Sequence, residues 1–296
     1  MKKKDKKLII AIIIFLIIFG YNLYKEQQFS SNALKPDTNI VTSDLNIYFL
    51  DVGQADSILI SNNNTNMLID AGNNEDGDLL VDYIKEELNI SKLDIVVGTH
   101  PHEDHIGGLD DIINNIDVEE VYLPEVITTT KTFEDVLDAI EKNKLEITVP
   151  EIDSSFKLGE AEFKVLYTGT DDSDLNNTSI VLKMTYGKYN YLFTGDATDK
   201  VEKLILNKNI KADVLKVGHH GSAYSSTEEF LTKVRPTYAI ISCASKNSYG
   251  HPSPETITRL EQTGAKIYNT KDLGTIHISS DGDKININNF KTNTNG

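Results

Sequence analysis

One stretch constrains this chain more than any other: the apolar run DIVVG (94–98), which leads directly into THPHEDHIGG (99–108). The run reads as a buried strand, and its end delivers three of the seven histidines and two carboxylates between His100 and His105. His100 and His102 are two residues apart at the mouth of the strand, so their rings can point the same way. Asp104 and His105 open a helical pattern, HIGGLDDIINN, and can face the same cavity from another side. A lone histidine is usually a satisfied polar side chain. Three within six residues, with an aspartate among them, read as a metal site. Neutral imidazole and carboxylate suit zinc, manganese and iron.

The rest of the chain places that strand in a mixed α/β order. Short β-rich runs come first, in NIYFLD (46–51), SILIS (57–61) and NMLID (66–70). An amphipathic helix follows in DLLVDYIKEEL (78–88). Strand and helix then alternate through EVYLP, TFEDVLDAIEKN, EFKVLY, SIVLKMTY and YNYLFTGD. DVLKV (213–217) runs into HHGS. The next helix is expected near Thr227, with Ser226 as N-cap and Glu229 closing a capping box. A later helix has Ser253 as cap, Pro254 at its first position and Gly264 at its end. Meanders followed by βα alternation suggest two sheets with helices outside them, a four-layer αββα sandwich.

The N-terminus is different in kind. Residues 1–7 hold five lysines, and Leu8 to Tyr24 carries no charge. A spanning helix wants about 20 apolar residues and a signal-peptide core about 7–15, so this run falls between them. No A-x-A cleavage site follows it, which favours an uncleaved signal-anchor over a cleaved signal peptide. Lysines on the N-terminal side put that end in the cytoplasm and the remainder outside the cell. The expected organisation is a basic tip (1–7), an anchor (8–24), a polar stalk (25–43) and one large domain (44–296). The single Cys243 cannot form an intrachain disulfide and reads as a small core residue. A formal charge of −16 excludes a general basic surface for holding DNA by counterion release.

HxHxDH after a buried strand resembles the signature of the metallo-β-lactamase superfamily, whose fold is the αββα sandwich with up to two metals at its rim. FLDVGQADSILI, LIDAG, THPHEDHIGG, NNTSIVLKM, LFTGDA, VLKVGHHGS and NSYGHP are similar, in order, to the extracellular domain of ComEC-type DNA-uptake proteins and to the teichoic-acid phosphorylcholine esterases. One departure is Ala55, where those relatives usually carry Gly, and it leaves Asp51 and Gln54 less securely placed. The resemblance implies His100 and His102 on metal 1, Asp104 and His105 on metal 2, and Asp196 bridging them. The alternative for Asp196 is a helix N-cap before ATDKVEKLI. Asp70 would accept a hydrogen bond from a ligand histidine and orient it. No histidine lies between His105 and His219, where many relatives place a third metal 1 ligand. Adjacent strand residues point opposite ways, so His219 and His220 should not both ligate unless the strand has ended; His219 is expected as a ligand and His220 as proton donor or phosphate contact, with the reverse assignment left open. His251 is a candidate metal 2 ligand. His277, in the edge-like strand GTIHIS, is expected to be ordinary surface.

Two divalent ions, zinc or manganese, about 3.5–4 Å apart can activate water at neutral pH and stabilise both the entering and the leaving oxygen. With few dedicated imidazoles, metal 1 is expected to bind weakly or to prefer a harder ion such as manganese. Asn176, Ser179 and Ser222 are placed to donate to phosphoryl oxygens, and Asp104 and His220 to serve catalysis. The expectation is a membrane-anchored extracellular phosphodiesterase acting on DNA or a wall polymer, with no obligate protein partner. A β-lactamase-like hydrolase and a metal-binding interaction module without turnover are the alternatives.

Overall fold

The computed structural model describes residues 44–170 and 173–290. The expected basic tip, anchor and stalk all lie outside these residues. Among the described residues, no helix is long and apolar enough to cross a membrane.

Fifteen strands are described in chain order. They are β1 (Leu45–Phe49), β2 (Ser57–Asn62), β3 (Thr65–Ala71), β4 (Lys92–Val97), β5 (Asp117–Tyr122), β6 (Ile147–Thr148), β7 (Ser155–Leu158) and β8 (Ala161–Tyr167). The rest are β9 (Val181–Tyr186), β10 (Tyr189–Phe193), β11 (Val214–Lys216), β12 (Tyr238–Ile241), β13 (Lys266–Asn269), β14 (Thr275–Ser280) and β15 (Ile285–Phe290). One sheet has the order β15-β14-β1-β2-β3-β4-β5-β6, the other β13-β12-β11-β10-β9-β8-β7. Each sheet is antiparallel in one part and parallel in the other. The parallel pairs are β3–β4–β5–β6 and β10–β11–β12–β13.

Side-chain alternation divides each strand between two cores. On β2, Ile58 and Ile60 join Phe49, Phe163, Met184 and Tyr191 between the sheets, while Leu59 faces outward. That outer face packs under helices Gly77–Asp82, Leu109–Asn115 and Lys131–Lys142. On the second sheet, Leu192, Leu215 and Ile241 lie under helices Asp199–Ile205, Glu228–Val234 and Pro254–Thr263. Three apolar layers therefore separate four layers of backbone, the expected αββα arrangement.

Local details differ from the expectations. The first helix runs over Gly77–Asp82 and continues as a π-helical turn, Tyr83–Glu87. The capping box at Ser226 does not form. Thr227 is the N-cap, its hydroxyl accepting from Phe230 N–H, and Ser226 is left-handed at φ 55°. The buried Glu202 carboxylate, from the preceding helix, instead accepts from the N–H groups of Ser226 and Thr227 and from the Thr227 hydroxyl. His277 is not on an edge: β14 pairs with β1 on one side and β15 on the other. The His277 ring stacks on Tyr48 with centroids 4.4 Å apart, and burial lowers its pKa to about 4. Ala55 needs no glycine, because the left-handed residue of that turn is Gly53 at φ 70°.

Candidate metal centre

The strands β3, β4, β10 and β11 end at one rim, and the chemistry-bearing side chains gather in the segments that follow. The two sheets are tied there by Ile180 N–H donating to the Thr99 carbonyl at 2.9 Å. Asp70, next to the end of β3, is fully buried at φ 59°, a conformation an aspartate tolerates better than most residues. Its two oxygens accept from Thr99 N–H at 2.7 Å, from the Thr99 hydroxyl at 2.8 Å and from His105 Nδ1 at 2.8 Å. Gly107 lets the turn after His105 pack against the segment that follows β3, since a Cβ there would lie 2.2 Å from the Asn73 backbone.

Hydrogen bonds from the protein fix one proton on each of three histidines. The Asp70 carboxylate accepts, so His105 carries a proton on Nδ1 and turns Nε2 inward. The Ser242 carbonyl, 3.0 Å from His220 Nδ1, can also only accept, so His220 likewise turns Nε2 inward. The Thr99 hydroxyl gives its proton to Asp70, so at 3.1 Å it accepts from His100 Nδ1, and His100 Nε2 faces His102 Nδ1 at 3.0 Å. The inward nitrogens of His105 and His220 meet carboxylates. His105 Nε2 lies 3.3 Å from Asp196 Oδ1. His220 Nε2 lies 3.3 Å from Asp104 Oδ2 and 3.6 Å from Asp196 Oδ2. His105 Nε2, His220 Nε2 and Asp196 Oδ1 are buried without a hydrogen-bond partner. Nitrogens facing carboxylates in a buried space require a positive charge between them, a proton or a metal ion.

The ligand atoms form two poles that share His105. His100, His105 and Asp196 have one atom each within 4.8 Å of one another, as do Asp104, His105 and His220. His102 Nδ1 lies 3.0 Å from His100 Nε2 and joins the first pole. Burial keeps both of these rings neutral, His100 well below the usual histidine range and His102 below it. At the second pole burial again opposes charge, but carboxylates win. Asp196 and Asp56 push His220 up to about 10, and Asp196 and Asp70 hold His105 well above its ordinary value. Burial also opposes the Asp196 charge, and His105, His220 and His219 overcome it, keeping its carboxyl well below the usual range. Without metal, protons occupy the second pole.

Several expected roles change. Asp196 is no helix cap: Thr198 caps the helix Asp199–Ile205. Both HHGS histidines face Asp196, because β11 ends at Lys216 and His219 and His220 are left-handed at φ 52° and 51°. His220 is 2 % exposed and turns Nε2 toward Asp104 and Asp196, among the candidate ligands. His219 Nε2 lies 3.6 Å from Asp196 Oδ2 and its side chain is 23 % exposed, which leaves it the more accessible ring. His251 is half-buried, its ring 5.5 Å from His219 and 6.5 Å from His220.

The expected phosphoryl donors also make local hydrogen bonds. Ser179 Oγ accepts from Asp196 N–H at 3.1 Å and stands 3.5 Å from His100 Nδ1, so it positions both. Ser222 is 2 % exposed and accepts from Tyr224 N–H. Asn176 gives its N–H to Asp174 Oδ1 within a local turn.

Two functional residues escaped the sequence reading. Lys216 and Asp56 form a fully buried ion pair at 2.6 Å, and Asp56 Oδ1 stands 3.4 Å behind His220 Nδ1. Burial opposes the Asp56 charge, and the Lys216 ammonium holds its carboxyl well below the usual range. The available signal was a lysine in the middle of the apolar run DVLKV, which a buried strand tolerates only with a partner.

A two-sheet α/β sandwich with histidines and carboxylates converging at its rim defines a metal-binding hydrolase fold. Residues 50–245 match the Metallo-beta-lactamase superfamily, and the chain belongs to it. Among curated relatives, it is similar to ComE operon protein 3 of Bacillus subtilis, 29 % identical over 80 % of this chain and 33 % of that protein. Recombination protein 2 of Haemophilus influenzae is 27 % identical over 94 % of this chain and 33 % of that protein. Competence protein ComA of Neisseria gonorrhoeae is 27 % identical over 77 % of this chain and 31 % of that protein. The chain thus spans about a third of the length of these relatives. Among solved structures, the metallo-beta-lactamase fold protein YhfI of Bacillus subtilis shares the fold with a TM-score of 0.55 at 14 % identity, over 79 % of this chain and 100 % of that one.

Proposed function

We propose that this chain is a membrane-anchored, extracellular, metal-dependent phosphodiesterase acting on DNA or a cell-wall phosphodiester. The observation that carries the hydrolase reading is the convergence of the buried His100, His105 and His220 side chains on Asp104 and Asp196. His100, His102 and Asp196 would hold one divalent ion, and Asp104, His105, His220 and Asp196 a second, zinc or manganese. When bound, such ions supply the charge and the water activation that phosphoester hydrolysis needs.

The chain's own groups prepare the rest. Asp70 and Thr99 lock the rings of His105 and His100. Lys216 neutralises Asp56 behind His220. His219, partly exposed beside Asp196, is the ring placed to give a proton to a leaving oxygen. Support for a phosphodiester comes from the relatives' names, which speak of competence and recombination, and from the lack of a mid-chain histidine. The lysines before the apolar run 8–24 support an outside location.

The test is the purified full chain loaded with Mn²⁺ or Zn²⁺ and offered bis-p-nitrophenyl phosphate, single-stranded DNA, a phosphorylcholine ester and a β-lactam. Hydrolysis of the phosphodiesters, lost in Asp104→Ala, is expected. Turnover of the β-lactam alone would contradict the reading. Protease added to intact cells should remove the domain, and full protection beside digested surface controls would refute the topology.

A further inference from the structure

The two most exposed aromatic side chains among the described residues flank the metal centre. Tyr224 is 76 % exposed and Tyr249 is 69 % exposed. Tyr224 follows the HHGS turn and Tyr249 precedes the His251–Pro252 segment. These segments touch, with Ser253 N–H donating to the Gly221 carbonyl at 2.9 Å. Water-facing aromatic rings beside a reaction centre call for an explanation that core packing does not supply.

Tyr249 is held rather than loose. Asn247 closes its loop, donating from Nδ2 to the carbonyls of Ala244 at 3.0 Å and His251 at 2.7 Å, and accepting from His251 N–H at 2.9 Å. The Tyr249 ring stacks on His251 with centroids 5.7 Å apart and planes 22° apart. His251 in turn lies 24° from parallel with His220, 6.5 Å away. A ladder of nearly parallel rings therefore leads from solvent to the second pole.

The geometry points to Tyr249, backed by His251, as a stacking platform for a nucleobase next to the cleaved bond, which makes single-stranded polynucleotide the substrate class. This rests on the phosphodiesterase reading and goes further by naming what distinguishes the substrate. A flat slab with one open face suits a planar base, whereas a quaternary ammonium group wants several rings set at angles around it. The chain's charge of −16 strengthens the point. With no general basic surface to gather phosphates, affinity for a polynucleotide must come from the metal centre and from stacking. Lys246, exposed on the same loop, adds one cation.

The experiment uses the full chain loaded with Mn²⁺. Its probes are a single-stranded oligodeoxynucleotide and the same oligomer carrying tetrahydrofuran abasic residues. Wild type should cut the base-bearing oligomer with a kcat/KM about ten-fold above the abasic one. Tyr249→Ala should bring that ratio to within about two-fold, and Tyr249→Phe should preserve it. A 2-aminopurine base in the oligomer should be quenched on binding wild type and Tyr249→Phe, but not Tyr249→Ala. Binding should lose affinity with salt at a log–log slope of about −1, reflecting one or two phosphate contacts.

If both oligomers are cut equally, or the preference survives in Tyr249→Ala, the platform is wrong and the phosphodiesterase reading stands. If turnover of a phosphorylcholine ester is what depends on Tyr249, the platform serves a cation and the base assignment falls. If neither oligomer nor bis-p-nitrophenyl phosphate is cut, the phosphodiesterase reading itself fails and takes this inference with it.

Discussion

The two poles of the metal centre are built from the same residue types and behave oppositely. At the first, burial dominates: His100 and His102 are neutral before any metal arrives. At the second, carboxylates dominate: His105 and His220 hold protons that a metal must displace. The difference lies in what surrounds each ring. His100 hydrogen-bonds to the neutral hydroxyl of Thr99, whereas His105 lies between Asp70 and Asp196, and His220 among Asp56, Asp104 and Asp196. Local charge, more than ligand type, decides where protons compete with metal.

The largest expected effect comes from removing Asp196, the carboxylate proposed to hold both ions. Asp196→Ala should lower metal-dependent turnover on the order of a thousand-fold. Its metal content, read by elemental analysis, should fall at both poles, and loss at one pole alone would show that Asp196 is not shared. Asp70→Asn leaves every ligand in place but frees the His105 ring, and should weaken metal affinity about 10–100-fold. His251→Ala should cost less than about ten-fold in kcat/KM, because no three-ligand group includes it. An effect as large as that of Asp70→Asn would make His251 a full ligand.

The pH dependence sharpens the contrast further. His220 has a folded pKa of about 10, above the unfolded value of about 6.5. Its contribution to the stability of the metal-free chain is therefore fully present below pH 6.5 and lost as pH rises through 10. Over the same window metal affinity at the second pole should rise, by up to about ten-fold per pH unit for each proton displaced. Thermal melts of metal-free protein and metal titrations should thus trend in opposite directions. The smallest effect belongs to His277→Ala, which should cost about 1 kcal/mol of stability through lost stacking and leave turnover unchanged.

The HxHxDH candidates at both poles were legible in the sequence, because the motif is contiguous and a strand end fixes which rings point together. The four layers were legible from period-two strands and capped helices. The second pole was harder. It also draws on separate segments, and strand alternation left open which of His219 and His220 faces inward; the chain leaves β11 before reaching them and turns left-handed, so both face Asp196. Lys216 and Asp56 stayed hidden because their partnership spans 160 positions, and no local pattern announces a long-range ion pair.

The most direct measurement is calorimetric titration of Zn²⁺ into the metal-free full chain at pH 7, repeated in buffers of different ionisation enthalpy. The account predicts two classes of binding, one releasing essentially no protons and one releasing about one to two. Absence of stoichiometric binding, or the same proton release for every ion bound, would contradict it.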